Sequence, residues 1–181
     1  ATVLPAWGWT DLGTPQKSSS MAAHMGLARL DRMGFALKAH GVVWMQEYGI
    51  LPEAAKSLAA PDAVSEALAF QGKALEAWHR RIGLWEIINE PSSTNAVGLS
   101  RKQMGSLIER AAANIKGYEG LTSLINGSHI TDYGRKYTFL KPSGEPVDDF
   151  PTSYWRLLNA AKEAGALGEI DVIGLQYYPW F

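Results

Sequence analysis

Gly83-Leu84-Trp85-Glu86-Ile87-Ile88-Asn89-Glu90-Pro91 is a short apolar run opened by glycine and closed by two polar side chains and a proline. Its length and β-branched content read as a strand buried on both faces, and Pro91 ends it because proline has no N–H for a ladder. Working outward, four more runs share the pattern: Thr2 to Trp9, Leu37 to Trp44, Leu121 to Gly127 and Ile170 to Tyr178. Helical periodicity fills the gaps. Ser20 to Phe35 gathers Met21, Met25, Leu27, Leu30 and Met33 on one side, and Pro61 with Asp62 opens a stretch running to about Arg81. Proline and an acid suit the unbonded N–H groups of a first helical turn. Ser100 to Lys116 follows, stopped by Gly117 and Gly120, and Thr152 to Ala164 is closed by Gly165.

The order is therefore β-α-β-α-β-α-β-α-β, with successive runs starting 35, 47, 37 and 49 residues apart. Those distances suit right-handed crossovers, which makes the sheet parallel. A doubly wound sheet usually places a glycine-rich phosphate turn after its first strand, whereas Trp7-Gly8-Trp9-Thr10 stands here. A (β/α)8 TIM barrel is expected, of which residues 1–181 carry roughly five strands as one domain. Long segments follow the strands at 45–60, 91–99 and 128–151, so the irregular loops gather at the carboxyl ends, where barrel enzymes keep their chemistry.

Composition agrees with a packed domain and narrows the partners. The 181 residues include 46% hydrophobic side chains and no cysteine, which excludes disordered, collagenous and disulfide-scaffold classes. With 17 basic and 18 acidic residues and no block of like charge, nucleic acid and anionic membranes are not expected partners. No run reaches the ~18 apolar residues of a membrane span, and the start of the chain lacks the layout of a signal peptide. The absence of cysteine leaves the compartment open. His24, His40, His79 and His129 show no metal-ligand spacing, and no cofactor motif is present, so neither metal nor cofactor is expected.

A carboxylate at the carboxyl end of a barrel strand is a catalytic position. Asn89-Glu90-Pro91 resembles the end of the fourth barrel strand in clan A glycoside hydrolases. Lys38-Ala39-His40-Gly41-Val42-Val43-Trp44-Met45 resembles the third strand of the family 10, xylanase-type enzymes, with His40 and Trp44 on family positions and Met45 replacing a histidine. His40, Val42 and Trp44 share strand parity, so one face can offer an imidazole and an indole to the same pocket. Ile170 to Pro179 resembles the family's sixth strand, where Gln176 matches and Tyr178 replaces a histidine. The fifth strand matches only at Asn126, and the second keeps only Trp9.

The resemblance implies a retaining hydrolase of β-linked polysaccharide or oligosaccharide. In it Glu90 is the general acid/base, Asn89 holds the sugar 2-hydroxyl, and His40, Trp44, Gln176, Tyr178 and Trp9 bind substrate. Such an acid needs a carboxyl whose pKa is raised by partial desolvation. Trp7, Trp9, Trp44 and Trp180 either give platforms for sugar faces or seal the barrel top. Glu86, on the parity of Glu90 but deeper, is expected to be a paired interior carboxylate. Asn126-Gly127-Ser128 also has the form of a glycosylation sequon.

The match runs from the family's second strand to its sixth. The family's nucleophile, a glutamate ending the seventh strand, is therefore expected beyond residue 181, with the remainder of the barrel in the same or another chain. The resemblance favours a secreted or periplasmic setting. Two rivals are a non-catalytic carbohydrate-binding barrel or inactive fragment, and an unrelated barrel enzyme with a coincidental Asn-Glu-Pro.

Overall fold

The computed structural model describes residues 2–3, 26–45, 58–127, 140–141, 143–147, 149–150 and 153–175. In chain order the elements are β1 (Thr2–Val3), α1 (Leu27–Arg32), β2 (Lys38–Ala39), α2 (Ala60–Trp78), β3 (Leu84–Glu86), α3 (Arg101–Lys116), β4 (Thr122–Gly127), α4 (Tyr154–Glu163), a 3-10 turn (Ala166–Glu169) and β5 (Val172–Leu175). All strand pairs are parallel, and the spatial order β1-β2-β3-β4-β5 is the chain order. A doubly wound sheet reverses its order at a switch point, and this one does not. The fold is α/β, and its parallel sheet and helices are consistent with part of a (β/α)8 barrel.

Local chemistry explains the helix boundaries. Ser100 caps α3 by accepting from the Gln103 N–H, while Gln103 Oε1 accepts from the Ser100 N–H at 2.9 Å, so two unbonded donors of the first turn are satisfied reciprocally. Met104, Leu107, Ile108, Ala111, Ala112 and Ile115 then form its buried face. Pro61 and Asp62 occupy the first turn of α2. Ser153 caps α4, and Gly165, at φ 82°, takes the left-handed step after it. At the front of the chain the described helix covers Leu27–Arg32 of the periodic stretch. Its described part begins at Gly26, whose φ of 66° sets the start of α1, while residues 20–25 lie outside the described set.

The two faces of the sheet are set by β4. Gly127 lies under Tyr154 of α4, so that a Cβ there would come within 2.5 Å of the ring, and the Tyr154 hydroxyl donates to the Ile125 carbonyl at 2.8 Å. Ser123, Ile125 and Gly127 therefore face the helices, and Leu124 and Asn126 face the opposite, inner side. Trp85 is fully buried, its indole N–H held by the Ile82 carbonyl.

Registry carries these faces onto β5, where Ile173 and Leu175 pair with Ile125 and Gly127. Ile125 is fully buried, but Ile173 and Leu175 are 52% and 56% exposed. The helix-side face of β5 is thus uncovered among the described residues.

β2 and β3 are shorter than their apolar runs. In Leu37 to Trp44 the ladder covers only Lys38 and Ala39, because Gly41 turns at φ 66° and gives its N–H to a side chain, the Glu86 carboxylate, at 2.8 Å. Strand parity therefore does not extend from His40 to Trp44. The backbones stay joined past the turn: Asn89 N–H donates to the Val43 carbonyl at 2.9 Å and Ala96 N–H to the Met45 carbonyl at 2.8 Å.

Candidate active site

The tips of β2, β3 and β4 converge on two glutamates. Lys38 and Ala39 pair with Leu84 and Trp85, which brings Glu86 beside His40 one rung further along. Glu86 is completely buried. Its Oε1 lies 3.0 Å from Lys38 Nζ, and its Oε2 lies 2.8 Å from His40 Nδ1 and accepts the Gly41 N–H. A carboxylate this deep persists because the Lys38 ammonium, an imidazole nitrogen and a backbone donor stand where water would be. The expectation of a paired interior carboxylate at Glu86 agrees with this arrangement.

Glu90 meets a different environment. It is half-buried with no cation at bonding distance among the described residues, and burial raises its pKa above the usual carboxylate range. The nearby His40 charge pulls the other way, and Glu86 adds to the rise. Its backbone is unusual, with φ at 46°, a left-handed value that costs a non-glycine residue roughly 1–3 kcal/mol. Hydrogen bonds hold it there. Its N–H donates to Asn126 Oδ1 at 3.0 Å, and its carbonyl accepts the Ser93 and Thr94 N–H groups at 3.0 and 3.1 Å and the Thr94 hydroxyl at 3.0 Å.

Asn89 and Asn126 are both buried and linked to each other, the Asn126 Nδ2 donating to Asn89 Oδ1 at 2.9 Å. With both ends of its carboxamide engaged and its side chain buried, Asn126 does not present the accessible amide that a sequon needs. The glycosylation reading is thereby corrected.

His40 and Trp44 do come together despite the turn between them, their ring centroids 6.2 Å apart and the planes at 50°. The Trp44 indole N–H is buried with no acceptor among the described residues. Met45, at the family's histidine position, is fully buried as core packing. Tyr154 approaches from the helix side, and burial, reinforced by the charge of Glu86, raises its pKa strongly.

The structure thus gathers Glu90, Asn89, His40 and Trp44 at one end of the sheet, together with Glu86. Trp9, Gln176 and Tyr178 lie outside the described residues. One participant, Lys38, was not singled out from sequence. Lys38 neutralises Glu86, and its only sequence signal is alternation with His40. Asn126 braces the Asn89–Glu90 pair, and its signal was the single match in the fifth strand. Among the described residues no group of three or more His, Cys, Asp or Glu side chains is placed to hold a metal ion.

No protein-family model matches the chain, and no curated protein matches it by sequence. Solved structures do. The fold is similar to Penicillium canescens endo-1,4-beta-xylanase XylE, with a TM-score of 0.58 and 17% identity over 86% of this chain and 44% of that one. It is also similar to a psychrophilic glycoside hydrolase family 10 endo-beta-1,4-xylanase, with a TM-score of 0.60 and 12% identity over 98% of this chain and 55% of that one. At these identities the likeness is one of fold, and the chain spans about half the length of those structures.

Proposed function

We propose that this chain carries the acid/base half of a retaining glycoside hydrolase site of the family 10 type, acting on a β-linked polysaccharide or oligosaccharide. The observation that carries the reading is Glu90, a carboxyl four residues past the end of β3, held at positive φ by hydrogen bonds and rendered less acidic by burial. A carboxyl that keeps its proton toward neutral pH can give it to the glycosidic oxygen as the bond breaks, and take one from water in the second step.

In this reading Asn89 engages the 2-hydroxyl of the sugar, His40 and Trp44 line its subsite, and Trp9, Gln176 and Tyr178 join them. Retention needs a second carboxylate about 5–5.5 Å from the first. That nucleophile is expected on a further strand, beyond residue 181 or on another chain. The uncovered apolar face of β5 is where the next helix of a barrel would seat.

The test uses the intact enzyme with xylo- and gluco-oligosaccharides. Glu90→Ala is expected to lower turnover of these unactivated substrates by about 10²–10⁴-fold. It should spare the first step on aryl glycosides whose leaving group needs no proton. Unchanged oligosaccharide turnover in the variant would discard the assignment. Binding of oligosaccharide by the wild type without any product would favour a non-catalytic carbohydrate-binding barrel.

A further inference from the structure

We infer that the Thr94 hydroxyl holds Glu90 in its left-handed backbone conformation, which makes Thr94 a positioning residue for the acid/base carboxyl. The kinetic consequence rests on the acid/base reading of Glu90, while the backbone geometry does not depend on it.

Glu90 has two reasons to leave its φ of 46°. Left-handed backbone strains a residue that carries a Cβ, and the ring of Pro91 drives the residue before it towards extended backbone. An extended residue turns its own carbonyl and the preceding one to opposite sides of the chain, whereas a helical conformation of either hand keeps both on one side. At Glu90 the two share a donor. Thr94 Oγ1 lies 3.0 Å from the Glu90 carbonyl oxygen and 3.4 Å from that of Asn89. The shorter contact is the hydrogen bond, and the longer one shows that both carbonyls face the same hydroxyl. An extended Glu90 would turn one of them away, so this arrangement belongs to the strained conformation. The Ser93 and Thr94 N–H groups add to the grip on the Glu90 carbonyl, and Asn126 Oδ1 accepts the Glu90 N–H on the other side.

Such a hold works only if its far end is fixed. Asn95, next to Thr94, donates its Nδ2 to the Leu99 carbonyl at 2.9 Å and accepts the Leu99 N–H at 2.7 Å, and the Ala96 N–H reaches the Met45 carbonyl at 2.8 Å. Thr94 and Asn95 are 8% and 3% exposed, so water competes little for these bonds. Thr94 therefore stands on a braced, buried segment, and Glu90 is the end that would move. A return of φ to the extended range swings the Cα–Cβ bond about the N–Cα axis and carries the carboxyl from its place. A proton donor displaced in this way fails a leaving group that needs a proton and is immaterial to one that does not.

The experiment isolates the hydroxyl in two pairs of full-length proteins: wild type against Thr94→Val, and Thr94→Ser against Thr94→Ala. The kinetic readout is the ratio of kcat/KM for a dinitrophenyl glycoside, whose leaving group needs no proton, to kcat/KM for xylotriose or cellotriose. Loss of the hydroxyl is expected to raise this ratio about tenfold in each pair, the equivalent of one hydrogen bond, with Thr94→Ser close to the wild type. General damage would lower both substrates together, and an unchanged ratio would overturn the inference. The second readout is NMR. A positive φ brings a residue's own amide and α protons unusually close, so the intraresidue cross-peak of Glu90 should be strong in the wild type and Thr94→Ser and weaken in Thr94→Val and Thr94→Ala. An undiminished cross-peak in the variants, or a weak one in the wild type, would overturn the inference whatever the kinetics.

A wild type that hydrolyses neither kind of substrate would fail the acid/base reading, and NMR would still decide this one. Should Thr94→Val not fold, the Thr94→Ser and Thr94→Ala pair decides in its place.

Discussion

Glu86 ends β3, Glu90 lies four residues further along, and the two meet opposite surroundings. Around Glu86 the protein assembles a lysine, a histidine ring nitrogen and a backbone N–H, and removes all solvent. Around Glu90 it binds the backbone at both ends and places no cation at bonding distance among the described residues. The same side chain is thereby made a fixed structural charge in one place and a reluctant acid in the other. Environment, not residue type, divides the roles.

The contrast can be broken most severely at Glu86. Glu86→Ala strands Lys38 and the Gly41 N–H without their carboxylate, and breaking a buried pair this way costs about 3–5 kcal/mol. Chemical denaturation should show that loss, and a loss below ~1 kcal/mol would mean that the buried pairing contributes little.

Glu90 should respond in the opposite direction and by less. Because burial raises its pKa in the folded state, the folded protein binds more protons than the unfolded chain across the window between the two values. Stability conferred by wild-type Glu90 therefore falls as pH rises through that window. Glu90→Gln removes the penalty, so the variant should match the wild type in acid and exceed it increasingly toward neutral pH. Parallel stability–pH curves for the two proteins would contradict this.

The smallest effect sharpens the role of burial. Lys116 and Asp171 approach to 2.6 Å, closer than Lys38 and Glu86, yet both are exposed by about a third. The Lys116 ammonium, and behind it the Ser123 N–H, hold the Asp171 carboxyl below the usual range. Water and salt screen such a pair, so Lys116→Met should cost no more than about 1 kcal/mol in a denaturation experiment. A cost comparable to Glu86→Ala would show that distance outweighs burial.

Much of the fold was legible in the sequence because its punctuation is local. Pro61, Ser100 and Gly165 act within one helical turn, and the alternation of apolar runs with helical periods requires no knowledge of what lies opposite. Strand length was not legible, since the ladder at Ala39 ends through a bond between Gly41 and a glutamate 45 residues away.

The site divides in the same way. Glu90, Asn89, His40 and Trp44 stood out by chemical type and by resemblance. Lys38 did not, because its importance comes from cross-strand register, which a linear pattern does not contain, and Asn126 showed only as the single match in the fifth strand. The backbone of Glu90 was equally hidden: a left-handed φ is announced by glycine or asparagine, and glutamate before proline announces neither.

The identity of strand order and chain order bears on how the molecule is made. Every strand pairs with the one synthesised just before it, so a nascent chain can extend the sheet one β/α unit at a time without waiting for distant sequence. The cost of that vectorial assembly falls on whichever strand is newest. Ile173 and Leu175 show what such a strand looks like: an apolar face that stays sticky until a helix is laid across it.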